Sequence, residues 1–242
     1  MDGCLIIHGL TGTPATVASL RDGLLKAGFS VSVPYLAGHG STLEDLARAT
    51  REEWYDTVRI AFDAMRREVD RVFCAGISLG SLLAMKLALD EGWGVRALAL
   101  LATPLKLSFM ESIAVPAVRY SPLRWMLRAV PKDIKRSVAD PEGQKRYNEL
   151  SLPMIPTNSV FEISDLQREL LSSIGRITNP ILLVHGKHDT VAPPKNIDIV
   201  KNKVKSDIVQ SIILPNSRHV ITMDYDRADV ARAVVNFFKN FA

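Results

Sequence analysis

Three side chains in this sequence are of the types and spacing that nucleophilic chemistry needs: a serine in "GISLG", an aspartate in "HGKHD" and a histidine in "SRHVITMD". Ser78 stands between Gly76 and Gly80, where the apolar run Val72 to Ala75 gives way to Leu79, Leu82, Leu83, Leu87 and Ala88 at helical spacing. A side chain at the apex of a strand-to-helix turn is held clear of its own backbone. Flanking glycines, lacking Cβ, let other segments come close. The pattern alone is common, and a lone serine is a poor nucleophile, so the reading depends on a base and an acid elsewhere.

In open parallel sheets, functional groups gather at the carboxyl ends of the strands, so each candidate should directly follow a strand-like run. Asp189 follows the run that ends at His185, whereas Asp198 and Asp207 fall in or beside the next helical segment. His219 comes shortly after the run that ends at Leu214. His8 and His39 lie in the glycine-rich loops "HGLTGTP" and "AGHGST", which suits turn shaping or backbone hydrogen bonding, and His185 and His188 are too near Asp189 to receive its carboxylate across a gap between loops. His219 alone completes the chain order serine, acid, histidine. The chemistry is nucleophilic acyl transfer: His219 takes the proton from Ser78 as it attacks a carbonyl, and Asp189 holds the imidazole tautomer and stabilises its charge. The oxyanion needs two donors. The backbone N–H of Leu79 is one, and "HGLTG" supplies the other from Leu10, whose side chain is placed against the acyl group.

These residues must be positioned by regular elements. Strand-like runs occur at Cys4 to Ile7, Phe29 to Val33, Arg71 to Ala75, Arg96 to Leu101, Ile181 to His185 and Ile208 to Leu214. Between most of them lie amphipathic helical patterns, clearest from Glu52 to Val69 (Trp54, Val58, Ala61, Phe62, Met65, Val69) and in the C-terminal stretch (Val230, Val234, Phe237, Phe238, Phe241). Apolar strands alternating with such helices predict a mostly parallel central sheet of about six or seven strands, covered by helices on both faces. The alternation stops over 104–172, a stretch without a convincing strand that is rich in Leu, Met, Pro and aromatic residues. A structureless loop of that length is rare, so it is read as a small helical cap inserted at 104–172 into a core formed by 1–103 and 173–242. Of its apolar residues, Phe109, Met110, Trp125 and Met126 are the candidates for contact with substrate, flexible methionines suiting a pocket that takes several chain lengths.

The 242-residue chain has 47% hydrophobic and 23% charged residues, ordinary for a globular protein with a substantial core. Its net charge of +4 is unevenly spread: Arg119, Arg124, Arg128, Lys132, Lys135 and Arg136 face only Asp133 within their stretch. That pattern is read as a solvated helix face, or more sharply as a patch for anionic lipid or an acyl carrier. It lacks the aromatic interleaving of a nucleic-acid site. Cys4 and Cys74 fall in apolar runs and read as buried thiols. There is no signal-peptide pattern and no apolar stretch of the roughly 18 residues that span a bilayer, so the expectation is a soluble, cytoplasmic protein without stable membrane anchoring, a monomer or weak dimer. No metal and no cofactor is expected.

In their order and spacing, "HGLTGTP", "GHG", "GISLGS", "HGKHDTVAP" and "RHVITMD" resemble the small bacterial carboxylesterases and monoacylglycerol lipases of the α/β-hydrolase fold, over almost the whole chain. The resemblance implies Ser78, Asp189 and His219 as a triad, the Leu10 and Leu79 amides as an oxyanion hole, and hydrolysis of carboxylic esters of short to medium acyl chains. It is weakest in the cap. Two departures stand out: the chain begins almost at its first central strand, without the leading antiparallel strands of larger relatives, and Arg218 takes the place of a small residue before the histidine. The alternatives are an acyl-CoA or acyl-carrier thioesterase, suggested by the basic stretch, and a non-catalytic binding protein of the same fold.

Overall fold

The computed structural model describes residues 1–106 and 109–242, with no side chains for 109–112. Strands β1 (Asp2–Ile7), β2 (Ser30–Ser32), β3 (Arg71–Ile77) and β4 (Val95–Leu101) lie where the apolar runs predict them. Further along come β5 (Ala129–Pro131), β6 (Met154–Pro156), β7 (Ile181–Gly186) and β8 (Val209–Leu214). Six of these form one sheet in the order β2-β1-β3-β4-β7-β8, and all five ladders are parallel. Both faces of the central strands are covered, which is why β3 and β7 read as continuous apolar runs rather than alternating ones.

One face is packed by the helices Arg51–Met65, Leu79–Glu91 and Thr157–Ser173, which bring Trp54, Val58, Phe62, Leu83 and Leu170 into one buried cluster with Leu5 and Leu98. The other is packed by Ala18–Lys26 and Arg227–Lys239, where Phe29, Phe73, Phe237 and Phe238 stack edgewise and tilted. The helix expected over Glu52 to Val69 begins one residue earlier and stops at Met65. Thr50 and Glu53 close its first turn as a reciprocal capping box.

One expectation is corrected. The stretch 104–172 contains a second, two-stranded sheet, β5 antiparallel to β6, with Ala129 opposite Pro156 and Pro131 opposite Met154. Strands of three residues are too short for alternation to register, and each carries a proline that local propensity counts against a strand. Elsewhere among its described residues the stretch carries the expected helices, at Phe109–Arg119, Leu123–Met126, Ile134–Ser137, Pro141–Leu150 and Thr157–Ser173. Among the described residues no helix is long and apolar enough to cross a membrane.

Candidate active site

Ser78 occupies the turn between β3 and the helix Leu79–Glu91 with φ 53° and ψ −119°, a backbone conformation that a side chain other than glycine adopts at a cost. What imposes it is close packing. A Cβ on Gly76 would sit 2.1 Å from Gly80 O, and one on Gly80 would sit 2.1 Å from Ile7 O, so the turn closes only because both positions lack one. The Ser78 N–H donates to Leu101 O at 2.9 Å, and its carbonyl accepts from the amide and hydroxyl of Ser81 at 2.9 and 2.6 Å. The serine backbone is therefore fixed from β4 and from its own helix, and its Oγ points out of the sheet.

His219 and Asp189 come from the ends of β8 and β7. Gly186 lets their two loops interlock: a Cβ there would fall 2.2 Å from Arg218 O and 2.4 Å from Ser217 O. Asp189 is buried, and its carboxylate divides its work. Oδ1 accepts from the amides of Val191 and Ala192 at 2.9 and 2.8 Å, while Oδ2 meets His219 Nδ1 at 2.9 Å. On the far side of the ring, His219 Nε2 lies 2.9 Å from Ser78 Oγ. The tautomer that satisfies both contacts carries its proton on Nδ1, leaving the Nε2 lone pair to accept from the serine hydroxyl. Three residues 30 and 141 positions apart thus form one hydrogen-bonded chain, with the histidine only 7% exposed.

The Leu79 amide opens the helix after Ser78, where backbone N–H groups have no partner within the helix. The Leu10 amide follows Gly9, whose ideal Cβ would come 3.4 Å from Ser78 Cβ, so this loop runs directly beside the serine. Its turn is closed by Gly12 N donating to Gly9 O at 3.1 Å and by Thr11 at φ 62°. His8 bonds the backbone on both ring nitrogens, to Gly9 O at 3.0 Å and from Leu36 N at 3.3 Å; His39 bonds Ala37 O at 3.1 Å. Both rings shape loops.

The basic stretch does not form a single solvated helix face. Arg119 makes a bidentate pair with Asp165 at 2.7 Å, Arg124 lies over the Trp125 ring at 4.3 Å, and Arg136 donates to Thr190 O at 3.0 Å. Lys132 is half-buried: its Nζ donates to Ser151 Oγ and to Thr11 Oγ1 (3.4 Å) and lies 4.2 Å from the centre of the Tyr147 ring. Burial pulls its ammonium down to about 7. Leu152 N also donates to Thr11 O at 3.0 Å, so the segment around β5 and β6 rests on the Leu10–Thr11 loop. Of the residues expected to touch substrate, Trp125 and Met126 are 69% and 82% exposed, and the side chains of Phe109 and Met110 lie outside the described residues. Sequence reasoning passed over Asp224 and Asp226, which follow His219 in "RHVITMDYD" with no local signal of the bonds they make.

Three buried histidines bear on stability rather than chemistry. Desolvation lowers His8 to about 3 and His39 and His185 to about 4, so the native protein keeps them neutral. The unfolded chain protonates each near 6.5, so it binds more protons than the native state between that value and the native one. Stability should fall with decreasing pH across this window by about 1.4 kcal/mol per pH unit for each histidine. Thermal unfolding at pH 7 and pH 5 checks this: the midpoint is expected to be clearly lower at pH 5, and equal midpoints would mean these rings are not held neutral.

A family model described as Hydrolase_4, serine aminopeptidase, S33, matches residues 2–226. A thermostable monoacylglycerol lipase from Bacillus sp. (strain H-257) is 29% identical over 243 aligned residues, covering 99% of this chain and 91% of the relative. A carboxylesterase from Bacillus subtilis (strain 168) is 25% identical over 236, covering 97% and 91%. Among solved structures, a metagenome-derived lipolytic enzyme from work on LipS and LipT superposes with TM-score 0.88 at 24% identity, over 99% of this chain and 94% of the other. The monoacylglycerol lipase of Paleococcus ferrophilus superposes with TM-score 0.83 at 21% identity, over 99% and 94%. These neighbours share the α/β-hydrolase fold.

Proposed function

The chain belongs to the Hydrolase_4 (serine aminopeptidase, S33) family, and from that premise we propose that it is a carboxylic ester hydrolase of carboxylesterase or monoacylglycerol lipase type, with Ser78, His219 and Asp189 as its catalytic triad. The observation that carries this reading is the continuous contact from Ser78 Oγ to His219 Nε2 and from His219 Nδ1 to Asp189 Oδ2, each 2.9 Å. The names of the two curated relatives support the ester as substrate.

In this mechanism Ser78 Oγ attacks the ester carbonyl as its proton passes to His219 Nε2, and Asp189 stabilises the imidazolium that forms. The tetrahedral oxyanion is received by the Leu10 and Leu79 amides, an interaction of which a single donor is typically worth about 3 to 4 kcal/mol in the barrier. The intermediate collapses, His219 returns its proton to the departing alkoxide, and the alcohol leaves an acyl ester on Ser78. Water then attacks that ester with His219 as base, and collapse of the second intermediate restores the serine hydroxyl and releases the carboxylic acid.

Residues 104–172 act in this reading as a cap that sets acyl-chain preference through Leu10, Phe109, Met110, Trp125 and Met126. Each methylene buried adds about 0.8 kcal/mol, so kcat/KM should rise with acyl length until the site is full and fall beyond it. A series of p-nitrophenyl esters from acetate to palmitate is the test, run beside monoacylglycerols and acyl-CoAs of the same chains. The expected result is a maximum at medium length that moves when Met110 or Met126 is replaced by alanine. A flat, unmoved profile would place selectivity outside the cap. Acyl-CoAs hydrolysed faster than the matching esters would favour the thioesterase instead.

A further inference from the structure

The loop that presents His219 is held by two buried carboxylates outside the triad, Asp224 and Asp226. Asp224 is fully buried and accepts four backbone N–H groups: Ala139 at 2.9 Å and Arg218 at 2.8 Å on Oδ2, Asp140 and Tyr225 at 2.9 Å each on Oδ1. Arg218 immediately precedes His219. On the other side of the histidine, Val220 N donates to Ser137 O at 2.8 Å, and the Arg218 guanidinium donates to Lys135 O. The stretch 135–140 therefore grips the chain on both sides of the imidazole. Among the described residues no cationic side chain pairs with the Asp224 carboxylate; its charge is met by peptide dipoles alone, a set of charge-assisted bonds that a neutral amide cannot reproduce.

The lower part of the same loop is tied separately. Asp226 accepts from Asn216 N at 2.9 Å, Asn216 Nδ2 at 3.0 Å and Ser217 Oγ at 2.7 Å, and these bonds stay within the loop and the helix that follows it. Asp224 differs in joining two distant parts of the chain, the middle of the 104–172 region and the residue before the base.

We propose that Asp224 is a positioning residue for His219, fixing its backbone to the 135–140 segment so that the imidazole meets Ser78 and Asp189 at once. The proposal rests on the reading of His219 as the base. It makes the region 104–172 more than a cover: its 135–140 segment sets where the base stands. The bonds are directional, so a side chain of the same size with a donor in place of one oxygen would leave at least one pair of N–H groups facing N–H.

The test compares Asp224→Asn with the unaltered enzyme and with Asn179→Ala, a buried substitution at the opposite end of β7 that removes bonds to Gly92 O and Val95 O. Asp224→Asn is expected to lower kcat per folded molecule by about 100-fold, as small misplacements of catalytic groups do, with KM little changed. It should also abolish the low-field proton resonance of His219 Nδ1–H bonded to Asp189. Asn179→Ala is expected to lower the thermal midpoint while kcat per folded molecule and the resonance persist. Retention of kcat and of the resonance in Asp224→Asn overturns the proposal. If His219→Ala itself stays active, the base assignment fails, while the resonance still reports on positioning. Should Asp224→Asn not fold, amide exchange in the unaltered protein decides: Ala139, Asp140, Arg218 and Val220 should exchange as one protected unit, and much faster exchange at Arg218 and Val220 than at Ala139 and Asp140 overturns it.

Discussion

Replacing Ser78 by alanine is expected to reduce ester turnover by about 10⁶-fold, the scale on which loss of the nucleophile disables other serine hydrolases, while leaving the fold intact. The strained turn is imposed by the packing of Gly76 and Gly80 against backbone oxygens, not by the serine hydroxyl, so alanine inherits the same φ and ψ at similar cost. What disappears is the group that accepts the acyl chain. The Leu10 and Leu79 amides would still polarise a bound carbonyl, and the remaining rate would be what they and substrate binding supply. A fluorophosphonate probe checks the assignment directly: peptide mapping should find one modified site, Ser78, and no labelling of the alanine variant. Modification of another serine, or an alanine variant with near-normal turnover, would sink the proposed mechanism.

The second large effect is expected at Asp189. Asparagine there has the same shape, and its side-chain oxygen can still accept from the Val191 and Ala192 amides. Its NH₂ group is then left facing His219 Nδ1. A donor meeting a donor forces the imidazole into the other tautomer, which carries its proton on Nε2 and cannot accept one from Ser78. Loss of about 10⁴-fold in kcat is the size of effect this inversion has in a serine protease triad. KM should change far less, because the substrate does not touch the carboxylate. Steady-state kinetics of Asp189→Asn at neutral pH is the measurement. Activity near that of the unaltered enzyme would transfer the acid's role to another carboxylate. Asp165 is engaged by Arg119, Arg51 and Arg168, so Asp198 would be the next to examine.

Much of this architecture was legible in the chain because it is written in local periodicity. A strand buried on both faces must be apolar throughout, so β1, β3, β4 and β7 announce themselves within a residue or two of their ends. The helix Arg51–Met65 shows its buried stripe at helical spacing, though its capping box at Thr50 and Glu53 and its end at Met65 came from the structure. The site was legible for a related reason. In a parallel sheet the ends of the strands are brought together by topology, so a serine, an aspartate and a histidine each following a strand share one edge even though up to 141 positions separate them.

Where periodicity is absent, only the folded chain could decide. β5 and β6 are three residues each and exist because they pair with one another across the stretch between Pro131 and Met154, a partnership that neither segment's own composition implies. The basic stretch looked like a single patch in the sequence. Its cations are in fact distributed among Asp165, the Trp125 ring, Thr190 and the half-buried cluster of Thr11, Tyr147 and Ser151, because a charge takes whichever partner the neighbouring elements place beside it. The same holds for Asp224: nothing in "ITMDYD" tells that its first aspartate gathers amides from 139, 140 and 218. Local sequence determined which segments of the core are strands or helices and which of their faces are buried, since burial repeats with the period of each element. Tertiary structure decided which polar groups meet, since a hydrogen bond depends on two backbones reaching within about 3 Å at the right angle, and that is a property of the assembled layers.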